Sequence, residues 1–151
     1  MKTRHFLLLA MAGVVGCGKK PVAPDPQLGS RGTVEVTAKL LEVPEGAIIQ
    51  RDLYDYATVL KYEVTEVHRG DVQRGAVIHV GHYNPWKPRA EAADRKVKDV
   101  GGTLRRFRAD ERHRMALEPR MDEHYLGGIV DKYFGKREGD VFWAVWTNPA
   151  E

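Results

Sequence analysis

The 151-residue chain has one cysteine, Cys17, and one serine, Ser30. A lone cysteine closes no internal disulfide, so any folded domain must be stable without one. With one serine and one thiol, both near the N-terminus, no Ser-His-Asp or Cys-His arrangement can be built in the region that follows. A phosphate-cradling glycine-rich loop, a Cys-x-x-Cys pair and a His-Glu-x-x-His motif are also missing. That leaves carboxylates, histidine, tyrosine or a metal as the only sources of catalytic chemistry. The balance leans toward a protein that is not an enzyme, with no catalytic residue assigned; a metal- or carboxylate-dependent enzyme acting on cell-wall sugar is the remaining alternative. Long apolar runs are scarce as well. The longest, residues 6–15, falls well short of the roughly twenty residues that cross a bilayer as a helix.

What is present at the N-terminus has an order. Lys2 and Arg4 precede the apolar run with no acid among them, and Val14-Val15-Gly16-Cys17 closes it. Basic start, short apolar core and small residue before a cleavage point are the layout of an export signal. The closing tetrapeptide resembles the lipobox of bacterial lipoprotein precursors: two aliphatic residues, a glycine, then the cysteine. The resemblance covers about twenty residues. It implies a signal peptide over residues 1–16, cleavage before Cys17, and acyl chains such as palmitate on that thiol. One chain binds a bilayer marginally, at about 0.8 kcal/mol per buried CH₂, and two or more make the anchor firm. Residues 17–32, with Pro21, Pro24 and Pro26, read as a stiff, extended spacer. No aspartate follows Cys17, which in enteric bacteria directs the product to the outer membrane, facing the periplasm.

Composition then bounds the mature protein. Removing residues 1–17 takes away Lys2 and Arg4 and no acid, so 24 basic and 21 acidic residues become 22 and 21. Near-neutral charge and an exported address argue against a nucleic-acid partner. Residues 33–151 suffice for a single domain with one core, and there is no internal repeat. Charge is unevenly spread. Residues 87–114 hold ten Lys/Arg against Glu91, Asp94, Asp99, Asp110 and Glu111, while the residues beyond are acidic by three. This is either a patch for phosphate or anionic glycan or a solvated helix and loop.

Alternation of apolar and polar residues predicts strands over 33–43, 55–68, 76–83, 112–118 and 141–147. Val34, Val36, Ala38 and Leu40 share one face of the first, and Leu60, Tyr62 and Val64 one face of the second. Residues 89–99, with Ala90, Ala93 and Val97 at helical spacing, predict a helix ended by Gly101-Gly102. Three strands, a helix and two strands is the element order of an OB-type barrel. The expected fold is thus mainly β, a small five-stranded OB-like Greek-key barrel with one helix between strands 3 and 4.

Three constellations qualify as sites. His82, Tyr83, Asn84 and Trp86 end a strand, where barrels place binding loops, and the aromatics offer rigid surfaces with polar tips. We take them as the expected contact with a protein or envelope polymer. His113 and Met115 share a strand face, with Met121 and His124 following, a thioether and imidazole set suited to Cu(I). That set resembles the His, Met and Trp donors of a small periplasmic copper chaperone with an OB-type barrel, although its spacing differs and Pro119 intervenes. Copper is therefore the alternative to having no cofactor. Phe142, Trp143, Trp146, Tyr133 and Phe134 either complete the core or form a glycan-stacking platform.

Overall fold

The computed structural model describes residues 23–50 and 54–151. The expected signal peptide, Cys17 and the expected spacer up to residue 22 lie outside the described residues. The ordered elements are a one-turn helix α1 (Pro26–Ser30) and the strands β1 (Val34–Glu42), β2 (Ala57–Arg69), β3 (Val77–Tyr83), β4 (Arg112–Glu118), β5 (Ile129–Val130) and β6 (Phe142–Ala150). Five of them close a barrel. Antiparallel pairs β1–β2, β2–β3, β4–β6 and β1–β4 are joined by a parallel β3–β6 contact, so the order around the barrel is β1, β2, β3, β6, β4 and back to β1. The short β5 lies parallel to the start of β2 and ends the sheet.

Side-chain alternation sorts the residues into two layers. Val34, Val36, Ala38 and Leu40 of β1 point inward with Leu60, Tyr62 and Val64 of β2, Ile78 and Val80 of β3, and Met115 and Leu117 of β4. This matches the period of two in the sequence. The opposite face of β2 and β3 is covered too. Ala57, Val59 and Tyr83 pack beneath Met121, Val141 and Trp143, with Ala92 and Val100. The connection between β4 and β6 is thereby folded down over the outside of the barrel. A side chain at Gly81 would overlap the Met121 thioether, so a larger residue there would have to displace it.

Two stretches differ from the sequence expectation. The helix between β3 and β4 is a single 3₁₀ turn, Arg89–Glu91, instead of extending to residue 99. Asp94 explains the stop, because its Oδ1 accepts from the backbone N–H of Lys96 at 2.7 Å and Val97 at 2.9 Å. Those donors are lost to a continuing helix. Secondly, the expected spacer is packed from Asp25 onward. Asp25 caps α1 and accepts from Trp146 Nε1 at 2.9 Å and Asn148 Nδ2 at 2.8 Å, and Leu28 is buried. Arg69 donates to the carbonyls of Leu28, Gly29, Arg31 and Gly32 and to Glu35. Arg31 lies over the Trp146 ring at 4.8 Å. Pro26 opens the helical turn instead of extending the chain, and tertiary hydrogen bonds bind the segment to the barrel.

Arg69 is the hub of that attachment. Arg69→Ala removes a charged donor from five acceptors and is expected to cost about 2 kcal/mol, read as a lower urea midpoint together with faster proteolysis near residue 31. An unchanged midpoint would make the segment a passive tail.

Candidate functional site

The stretch from His82 to Trp86 turns inward. His82 and Asn84 are fully buried and Tyr83 nearly so, while Trp86 is half-buried beside Lys87. Asn84 takes the left-handed conformation, φ 44°, which asparagine tolerates better than most residues. In that pose its Nδ2 donates to Asp55 and Ala92, and its Oδ1 accepts from the Tyr56 N–H. Tyr83 donates its hydroxyl proton to Asp94 at 2.7 Å. Arg89, 3% exposed, donates to the carbonyls of Tyr83, Asn84 and Lys87 and lies 5.1 Å from the Phe107 ring. His82, Asn84 and Arg89 are taken up in a structural joint at one end of the barrel, whereas Trp86 stays partly exposed and the Tyr83 side chain lines a groove. The strand-end position was legible, but the depth of burial was not.

Inside that end sits a polar cluster that the linear pattern did not disclose. Tyr62 Oη lies 3.1 Å from His82 Nε2 and 3.2 Å from His113 Nδ1, and Phe107 covers both imidazoles. One hydroxyl has one proton to give, so it donates to one ring and accepts from the other. Either tautomer pair leaves one buried N–H and one buried lone pair without a partner, at His82 Nδ1 and His113 Nε2. Burial lowers both imidazole pKa values, that of His113 to about 4. For His82 the nearby Arg89 charge adds to the effect of burial.

The soft-metal set is dispersed. His113 and Met115 are inside the barrel, Met121 is in the outer layer against Gly81, and His124 is exposed. The barrel wall separates the first pair from Met121, so the four residues do not converge. Among the described residues, no group of three or more His, Cys, Asp or Glu is placed to hold a metal ion.

The C-terminal aromatics also divide. Trp143 is buried and stacked on Tyr125, with centroids 5.2 Å apart and planes 7° apart, and Tyr133 packs on His79 at 4.9 Å. Phe134, by contrast, is 79% exposed. It belongs to an exposed apolar set whose other members were not singled out from the sequence. Ile49 and Tyr54, between β1 and β2, and Leu126, Ile129 and Phe134, between β4 and β6, are five of the seven large apolar residues exposed among the described ones. The two connections meet. Thr58 Oγ1 donates to Ala47 O at 2.7 Å and approaches Val130 O at 3.3 Å, and Tyr133 donates to Glu42 at 2.9 Å. The signal was present as apolar residues in glycine-rich loops, but loops carry no periodicity to say which way they face.

A groove of about 450 Å³ borders this rim, lined by Asp55, Lys96, Glu123, Tyr125 and Leu126 among others. Beside it, burial raises the Asp94 pKa, but hydrogen bonds from Tyr83, Val97 and Lys96 outweigh it and hold the carboxyl below its usual range. A general acid needs the reverse. No protein-family model, curated protein or solved structure matches the chain.

The buried imidazoles set a pH dependence. Their folded pKa values lie below the ordinary 6.5, so their stabilising effect is complete above pH 6.5 and is lost as pH falls toward 4. With His113 at about 4, the loss between pH 7 and pH 4 is about 3 kcal/mol from that residue. Urea unfolding at stepwise pH should show it, with a shallower dependence in His113→Gln. A wild-type midpoint that stays flat over this range would refute a neutral buried pair.

Proposed function

We propose that the chain is a lipid-anchored protein of the bacterial envelope whose barrel is a non-enzymatic binding module for a protein or an envelope polymer. The lipobox pattern ending at Cys17 supports the anchor. The fold is read as an OB-type Greek-key barrel, supported by the cyclic strand order and the helical turn between β3 and β4. In such barrels the connections after the first and fourth strands carry the ligand. Here those connections are residues 43–56 and 119–141, and the observation that carries the proposal is that both carry exposed apolar residues and touch through Thr58 and through the Ala57 N–H donating to Gly128 O. Exposed apolar surface gathered in one place marks interaction. The proposed contact region is thus centred on Ile49, Tyr54, Leu126, Ile129 and Phe134, beside the groove that Tyr83 lines, with His82 and Asn84 buried beneath.

Two measurements test this. Cys17→Ser should abolish palmitate incorporation and release the protein from the membrane fraction; retained label would sink the anchor. Tyr54→Ser, Leu126→Ser and Phe134→Ser alter exposed side chains, so melting temperature should move by no more than about 2 °C. Photo-crosslinking from residue 126 in cells should give a discrete adduct that the other two substitutions abolish. An adduct insensitive to them would place the contact elsewhere.

A further inference from the structure

One surface stands out for charge. Residues 103–111 cross the end of the barrel from Asn148, whose Oδ1 accepts from the Thr103 N–H at 2.9 Å, to Leu40, which shares backbone hydrogen bonds with Asp110 and Glu111. Leu104 and Phe107 are sunk into the core, and Phe107 rests on Arg89, His82 and His113. The loop is therefore pinned from beneath, with Arg105, Arg106 and Arg108 exposed on top. Arg112 follows at the head of β4, opposite Lys39 of β1. Lys39 meets Asp110 at 3.4 Å and Arg108 meets Glu111 at 3.7 Å. Glu63 of β2 lies opposite Lys39, so five cations stand against three acids, and Arg105, Arg106 and Arg112 make no ion pair among the described residues.

The N-terminal segment leaves from the same region. Ala23, Pro24 and Asp25 line one groove of about 850 Å³ with Thr103, Asn148 and Ala150, and Arg112 pairs with Ala150 in the sheet. Only residues 18–22 separate Cys17 from Ala23, and two of them are Lys19 and Lys20. Six peptide steps reach about 20 Å when fully extended. A lipid on Cys17 would hold this basic face close to the headgroups. The attraction of an anionic leaflet acts within about 8 to 10 Å, a gap the short tether allows to close.

We propose that the face formed by Arg105, Arg106, Arg108, Arg112 and Lys39 docks onto anionic phospholipid headgroups beside the anchor. The inference rests on the lipid-anchor reading above. Charge complementarity selects the occupant: basic residues clustered next to an anchor are drawn to anionic lipid, and guanidinium forks bind phosphate oxygens in pairs. Docking fixes which side of the barrel faces the bilayer, so the tether does not merely confine a freely tumbling domain.

The mature lipoprotein is purified in detergent and reconstituted into nanodiscs of phosphatidylcholine alone or with 30 mol % phosphatidylglycerol, in proportions taken as about those of an anionic leaflet. Flotation reports anchoring, and amide hydrogen exchange reports docking. In wild type, peptides covering 103–112 should exchange about fivefold more slowly on the anionic discs. The difference should vanish in 0.5 M NaCl (about 4 Å of Debye length) and in R105E/R106E, with flotation intact. Flotation with equal exchange on both lipids overturns docking alone, and so does slowing on phosphatidylcholine discs or by inorganic phosphate without discs. Failure to float overturns the anchor and this proposal together. The wild-type comparison between lipids stands even if the double variant does not fold.

Discussion

A buried guanidinium organises the end of the barrel on which most of the other features depend. Arg89 gathers the carbonyls of Tyr83, Asn84 and Lys87, receives Phe107 against its face, and its own N–H donates to Leu104 O at 2.9 Å. Burial lowers its pKa to about 10, which leaves it charged at neutral pH. A fixed cation at this depth makes a second one costly. Burial keeps His82 and His113 neutral around Tyr62, with the Arg89 charge adding to the effect at His82, and the end of the barrel is sealed with a polar lining instead of an apolar plug. The same contacts pin the loop that presents Arg105, Arg106 and Arg108. Interior and surface chemistry at this end therefore share one support.

The barrel was largely legible in the sequence because strand burial has a period of two. Val34 to Leu40 and Leu60 to Val64 alternate inward as read, and β4 begins and ends at the expected residues, Arg112 and Glu118. The helix after β3 was overextended for an identifiable reason. Alanine-rich spacing states a preference worth tenths of a kilocalorie per residue, whereas the Asp94 side chain and the Arg89 anchor impose specific hydrogen bonds. Local propensity gave way to tertiary contacts.

The sites were less legible, for a related reason. His82, Tyr83 and Asn84 carry the residue types of a binding loop, and the same polar tips can satisfy one another once buried. Sequence shows that a polar group needs a partner; it does not show whether the partner is protein or ligand. Leu126 and Phe134 pose the opposite problem, since apolar residues in an irregular connection look like core until the fold shows them uncovered. The proline-rich segment illustrates both. Its prolines predict extension throughout, but Pro26–Ser30 form a helical turn, and its attachment through Asp25 and Arg69 depends on residues more than 35 positions away.

The place of β6 in the barrel has a consequence for timing. It is the last strand in the chain, yet it sits between β3 and β4. Until it arrives, both of those strands present open edges, and Asp25 lacks Trp146 and Asn148, its partners on β6. The earlier hairpin and the β1–β4 pair can form, but closure must wait for the C-terminal residues to be delivered. Barrel closure therefore waits for β6, and with it the Asp25 contacts to Trp146 and Asn148, whereas Arg69 of β2 can hold residues 28–32 beforehand.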